Sequence, residues 1–223
     1  MNNQVAGIKG MTIPLPTPFL DNGDVDEELL IELTEFYIKS SVNAVFILGS
    51  FGQGPAMSPE QRKRAAEVTL KHVNRRVPTM LHIGAVDPYT CIELGLHGKE
   101  LGVDALGVVG PYYYSDRKEQ DVIEYFRMVD QAVGLPTLIY NNPEYQGFRI
   151  TPPQMAKLVE AVPNIFGTKL AKGSIGEVQR YMRALPKGFT IFAPAENMFP
   201  GMLVGISGTI SPPLSAYPEI GNK

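Results

Sequence analysis

Short apolar runs recur along the chain at Gly10–Pro14, Ala44–Leu48, Thr79–Ile83, Ala105–Val109, Pro136–Tyr140, Ile165–Leu170, Thr190–Phe192 and Gly208–Ile210. They are rich in Val and Ile and lack polar alternation, the pattern of strands buried on both faces. Amphipathic segments lie between them. Asp26–Ser41 spaces Leu29, Leu30, Leu33, Phe36 and Tyr37 along one helical face. Pro59–Val73 opens with Ser58 as N-cap, Pro59 at the first position, and Glu60 and Gln61 in the first turn. Pro88–Leu101, Glu119–Val133, Pro152–Ala161 and Ser174–Leu185 repeat the pattern, with Glu196–Val204 a weaker seventh.

Strands that alternate with helices are parallel neighbours, because parallel pairing needs crossovers. Both a closed barrel and an open doubly wound sheet fit this alternation. No G-x-G-x-x-G follows the first strand, and eight units favour the barrel. The sequence therefore predicts a (β/α)8 TIM barrel, a single domain over residues 1–223, with its chemistry at the C-terminal ends of the strands. Only about a dozen residues, Pro212–Lys223, follow the last strand. That is short of a full eighth helix in a fold that takes roughly 250 residues, so a truncated or divergent copy is expected.

Composition narrows the function classes. Lys plus Arg number 20 against 23 Asp plus Glu, a net charge of −3 that argues against a nucleic-acid-binding face. Hydrophobic residues at 44% and charged residues at 19% suffice for a packed core. The single Cys91 excludes an intrachain disulfide and fits a reducing compartment. Met1–Gly10 has no apolar stretch of signal-peptide length, and no run approaches the ~20 residues of a membrane span. A soluble cytoplasmic protein is expected, without nucleic-acid or membrane partners.

The strand ends supply the candidate chemistry. Lys169 ends the apolar run Ile165-Phe166-Gly167-Thr168-Lys169. Partial desolvation there disfavours the ammonium and frees an amine for attack on carbonyls, the alternative being a lysine that snorkels from a strand end. Tyr140 ends the preceding strand, where its phenol can shuttle protons beside Lys169 or simply pack as an amphipathic ring. The turn Gly49-Ser50-Phe51-Gly52-Gln53-Gly54 offers backbone N–H groups and the Ser50 hydroxyl to a carboxylate. It lacks the Lys-Ser/Thr ending of a phosphate loop. Tyr112-Tyr113-Tyr114 reads as packing or interface. His72, His82 and His97 have no metal-ligand spacing, and Cys91 lies in a helix as a poor nucleophile, so no metal site is read.

Taken together, Pro16-Thr17-Pro18-Phe19, Gly49-Ser50-Phe51-Gly52, Pro111-Tyr112-Tyr113, Tyr140-Asn141-Asn142-Pro143, Gly167-Thr168-Lys169 and Gly208-Thr209-Ile210-Ser211 resemble the dihydrodipicolinate synthase / N-acetylneuraminate lyase family. These are pyruvate-type class I aldolases on a (β/α)8 barrel, and the resemblance runs from about Gly10 to the end. It implies that Lys169 forms a Schiff base with pyruvate or another 2-oxo acid, that Tyr140 shuttles protons, and that Ser50 relays protons and helps hold the carboxylate. Tyr113 matches a tyrosine inserted by a neighbouring subunit, and Ile210 a pocket residue. No organic cofactor or metal is needed.

Three features depart from the family pattern. Phe51 stands where a Thr is usual and Gln53 where an acid is usual. Tyr145 replaces the Arg that grips the aldehyde's carboxylate in the synthases, which counts against dihydrodipicolinate synthesis. The family's C-terminal helical region is absent. The resemblance implies a Schiff-base lyase joining or splitting a pyruvyl unit and an aldehyde, with Phe51 and Tyr145 shaping the acceptor site. The alternative is a non-catalytic or truncated relative with a binding or regulatory role. A homodimer or homotetramer is expected.

Overall fold

The computed structural model of the chain describes residues 8–219. Eight parallel strands close into a barrel in sequence order: β1 (Gly10–Pro14), β2 (Ala44–Ile47), β3 (Thr79–His82), β4 (Ala105–Val109), β5 (Thr137–Asn141), β6 (Ile165–Leu170), β7 (Thr190–Ala193) and β8 (Gly208–Ile210). Around it run α1 (Glu27–Lys39), α2 (Pro59–Val73), α3 (Pro88–Glu100), α4 (Glu119–Val133), α5 (Pro143–Gln146), α6 (Pro152–Ala161), α7 (Ile175–Ala184), α8 (Met198–Val204) and α9 (Pro213–Ala216). The predicted barrel is thus observed. Among the described residues, no helix is long and apolar enough to cross a membrane.

Boundaries move for local reasons. Pro136 has no N–H to give a ladder and falls outside β5, which runs on to Asn141. Leu48 takes φ 59°, a left-handed conformation that ends β2 and starts the turn over the barrel mouth. The four-residue α5, which the periodicity does not reveal, is capped by Asn142, whose side chain accepts the Glu144 N–H. The α2 start is as expected: Ser58 and Gln61 exchange hydrogen bonds in a capping box.

Alternation along the strands divides the core in two. One layer lies between strands and helices. The other fills the barrel, with Ile8, Phe46, Met80, Ala105, Leu138, Phe166, Phe192 and Ile210 stacked together. This plug leaves room for chemistry only at the top. At the β8–β1 seam, α9 seats on the barrel: Tyr37 Oη donates to Ser215 O at 2.9 Å, and Ser215 Oγ donates to Pro14 O at 3.0 Å.

The seam itself depends on glycine. A Cβ at Gly208 would stand 2.1 Å from Gly10 O and 2.6 Å from Gly10 N, all backbone with nothing flexible to yield. Gly208→Ala is therefore expected to cost at least the usual ~1–3 kcal/mol of overpacking, measured by urea unfolding. A variant as stable as the parent would show that β8 and β1 do not approach this closely.

Candidate active site

The site begins with a shift in register. Thr137 pairs with Ile165, but Leu138 pairs with Gly167, so Phe166 has no partner on β5. This bulge brings Tyr140 opposite Lys169 rather than Thr168. Both side chains then point into the barrel mouth. Lys169 is buried, with Nζ 3.9 Å from the Tyr140 ring centroid and 5.6 Å from that of Phe46. Burial lowers its pKa from the ordinary 10.5, against the attraction and hydrogen bonding of Tyr140.

Tyr140 is tuned the other way. Burial pushes its phenol up, but the Lys169 charge and hydrogen bonds from Ser50, Asn142 and Lys169 outweigh this and leave its pKa lowered. Asn142 Nδ2 donates to the phenol oxygen at 3.0 Å, while its Oδ1 accepts the Glu144 N–H at 3.2 Å. One amide therefore fixes both the phenol and the start of α5.

The Gly49–Gly54 turn closes over this pair. Gln53 N–H bonds Ser50 O at 3.1 Å, Gly54 N–H bonds Gly49 O at 3.2 Å, and Thr17 Oγ1 donates to Gly52 O at 2.7 Å. Gly54 is required, since a Cβ there would lie 1.9 Å from Leu48 O. Thr17, part of the Pro16–Phe19 motif, thus anchors the turn that presents Ser50.

Lys169, Tyr140, Ser50, Phe51, Tyr145 and Ile210 line one cavity of about 460 Å³. Of the predicted site residues only Tyr113 lies outside it: φ is 80° and the residue is 81% exposed, its ring edge-on to Tyr114 with centroids 5.0 Å apart. His72 and His97 bond Glu35 and Glu67 at helix surfaces. Cys91 is buried, its thiol pushed up to about 11 by burial and 2.7 Å from Tyr125 Oη, the environment of an inert thiol.

The residues that sequence reading missed lie below and beside this set. The Phe46 and His82 rings meet the Tyr140 ring edge-on, with centroids 6.3 and 6.0 Å away. His82 is fully buried, and neither ring nitrogen makes a hydrogen bond of ordinary geometry. Buried Arg62 donates to His82 O at 2.9 Å and to Gly84 O at 3.1 Å. Period-two alternation from Met80 was the available signal for an inward His82; nothing marked Arg62.

The geometry is that of a parallel (β/α)8 barrel with a buried lysine–tyrosine pair at the C-terminal strand ends. Residues 7–220 match the Dihydrodipicolinate synthetase family, and the chain belongs to it. It is 31% identical over 222 residues to the putative 2-dehydro-3-deoxy-D-gluconate aldolase YagE of Escherichia coli K12, covering 97% of this chain and 73% of that protein. It is 36% identical over 181 residues to a 4-hydroxy-tetrahydrodipicolinate synthase of Agrobacterium fabrum, covering 81% of this chain but 61% of the relative. The crystal structure of YagE in complex with pyruvate superposes with a TM-score of 0.92 at 31% identity, over 97% of this chain and 74% of that one.

The buried imidazole gives a titration test. Burial, then Arg62 and Lys169, hold the His82 pKa well below its ordinary 6.5. Below pH 6.5 the unfolded chain binds a proton here that the folded protein refuses, so stability falls as pH drops toward the folded value. The contribution is up to about 1.4 kcal/mol per pH unit, and His82→Phe should remove it. Urea midpoints measured down from pH 6.5 check this, and an unchanged slope in the variant would mean that His82 is protonated in the fold.

Proposed function

We propose that the protein is a lyase that forms a Schiff base between Lys169 Nζ and the keto carbon of pyruvate or a related 2-oxo acid, and makes or breaks a C–C bond with an aldehyde. The observation that carries this is the buried Lys169 amine, its pKa lowered, held against Tyr140 on the floor of the cavity. The pyruvate complex of YagE and the aldolase and synthase names of its relatives support the reading.

The free amine attacks the keto carbon, and the carbonyl oxygen takes a proton to give a carbinolamine. Tyr140 supplies the proton that lets this oxygen leave as water, giving the iminium. Loss of a proton from the adjacent carbon gives an enamine. Its electron pair forms the new bond to the aldehyde carbon, and the aldehyde oxygen takes up a proton. Water then releases the product and restores the amine; cleavage is the reverse. Ser50 relays protons to Tyr140 and, with the turn amides, holds the 2-oxo acid's carboxylate. Phe51, Tyr145 and Ile210 shape the acceptor end, and Tyr113 acts only from a second copy of the chain, in a dimer or tetramer.

Pyruvate with borohydride should add one pyruvyl-derived mass at Lys169, located by peptide mass spectrometry. Label elsewhere, or none on folded protein, would refute the assignment. Tyr140→Phe keeps the ring and should slow trapping by roughly 10²–10⁴-fold; a rate equal to that of the parent would make Tyr140 a packing residue.

The pH dependence has a defined sign. Only the unprotonated amine attacks, so the trapping rate should rise with pH and level off at a midpoint below 10.5, the ordinary lysine value. A midpoint at 10.5 would mean that the amine is solvated. Aspartate semialdehyde should not condense at a useful rate. Tyr145 offers one neutral donor in place of a bidentate guanidinium, and charge-assisted bonds are worth roughly 1.5–3 kcal/mol each. A coupled assay showing robust condensation would overturn this reading.

A further inference from the structure

Two charged side chains line the cavity besides the buried lysine: Glu144 and Lys172. Glu144 sits at the start of α5, directly after β5, and Lys172 follows the end of β6, so their ion pair joins the two strand ends that carry Tyr140 and Lys169. Both backbone positions are pinned. The Glu144 N–H donates to Asn142 Oδ1, and Gly173 O, next to Lys172, accepts from Asn197 Nδ2 at 2.6 Å. The Lys172 and Glu144 side chains are 58% and 55% exposed, and a pair so wet adds little to stability. It can, however, act on whatever enters the mouth.

We propose that Glu144 and Lys172 set the charge of the acceptor. This rests on the Schiff-base reading and names the acceptor class as a short, uncharged hydroxyaldehyde. Lys172 alone, three residues beyond Lys169, would draw a carboxylate or phosphate into the cavity. Glu144 neutralises it and repels an incoming anion at short range. The pair still serves a neutral hydroxylated chain. The carboxylate accepts from its hydroxyls, the ammonium donates to them, and the exposed faces of Phe51 and Tyr145 cover its carbon side. Glu144 is thus the residue that excludes anionic acceptors, while the carboxylate of the 2-oxo acid is held by Ser50 and the turn amides, and Lys172 is a latent anion site.

The test compares kcat/KM for pyruvate condensation with glyceraldehyde and with glyceraldehyde 3-phosphate. The parent protein should prefer the uncharged aldehyde. Glu144→Gln should shift the ratio toward the phosphorylated one by about tenfold or more, less at high salt, and Glu144→Gln combined with Lys172→Met should cancel the shift. A parent that uses both aldehydes equally, or a ratio unmoved in Glu144→Gln, would overturn the proposal. If neither aldehyde turns over, glycerol 3-phosphate gives the same comparison by protecting Lys169 from pyruvate trapping. Protection in Glu144→Gln but not in the parent supports the proposal, and equal protection in both overturns it. Trapping of the parent by pyruvate keeps the two readings apart: its failure refutes the Schiff base, whereas normal trapping with an unmoved ratio refutes the acceptor assignment alone.

Discussion

Taking an ammonium out of water is costly, and the barrel mouth makes that cost unavoidable for Lys169. The side chain rises from β6 above a lumen filled by Phe46, Met80, Leu138, Phe166, Phe192 and Ile210, so only apolar side chains lie beneath it. The near partners are the faces of Tyr140 and Phe46, which attract a cation far less than water or a carboxylate would. The lysine pKa is lowered as a result, and the surrounding geometry holds the side chain in place. The β5–β6 bulge sets Tyr140 against it, Asn142 holds the phenol, and Thr17 fixes the turn that presents Ser50.

How much of this was legible follows from what each feature depends on. Eight buried strands and their crossovers are properties of local hydrophobic spacing, and they emerged with shifts of a residue or so. Lys169 and Tyr140 were legible because a charged or polar residue at the end of an apolar run stands out in one dimension. Their direct pairing was not. It rests on Phe166 being the residue that β5 skips, and nothing about Phe166 marks it as a bulge in a run that reads Ile165-Phe166-Gly167. His82 was missed although period-two alternation from Met80 turns it inward; its contact with Tyr140 arises only when the barrel closes. Glu144 and Lys172 lie 28 residues apart, in short segments with no periodic pattern, and meet only because β5 and β6 are neighbours.

The site divides into a rigid floor and a wetter lip. Floor residues are held by backbone register, buried rings and amides with two partners, so substitutions there strike at the amine chemistry itself. The lip residues Phe51, Tyr145, Glu144 and Lys172 are exposed to different degrees and make few bonds to the scaffold. They can change without disturbing Lys169.

The unpartnered His82 ring also makes sense in this frame. Arg62 stays charged although buried, because two carbonyls, those of His82 and Gly84, accept from its guanidinium. A second cation on His82 would act on both that guanidinium and Lys169. It would lower the lysine pKa further and draw the neighbouring Tyr140 phenol toward phenolate. A neutral imidazole avoids this. Its ring nitrogens, without a hydrogen bond of ordinary geometry, cost stability, roughly 1–3 kcal/mol for a buried group left unpaired, a cost that a phenylalanine in the same place would escape. Burial and the charges of Arg62 and Lys169 all resist a proton on His82, so the burial that lowers the lysine pKa also keeps its neighbour neutral.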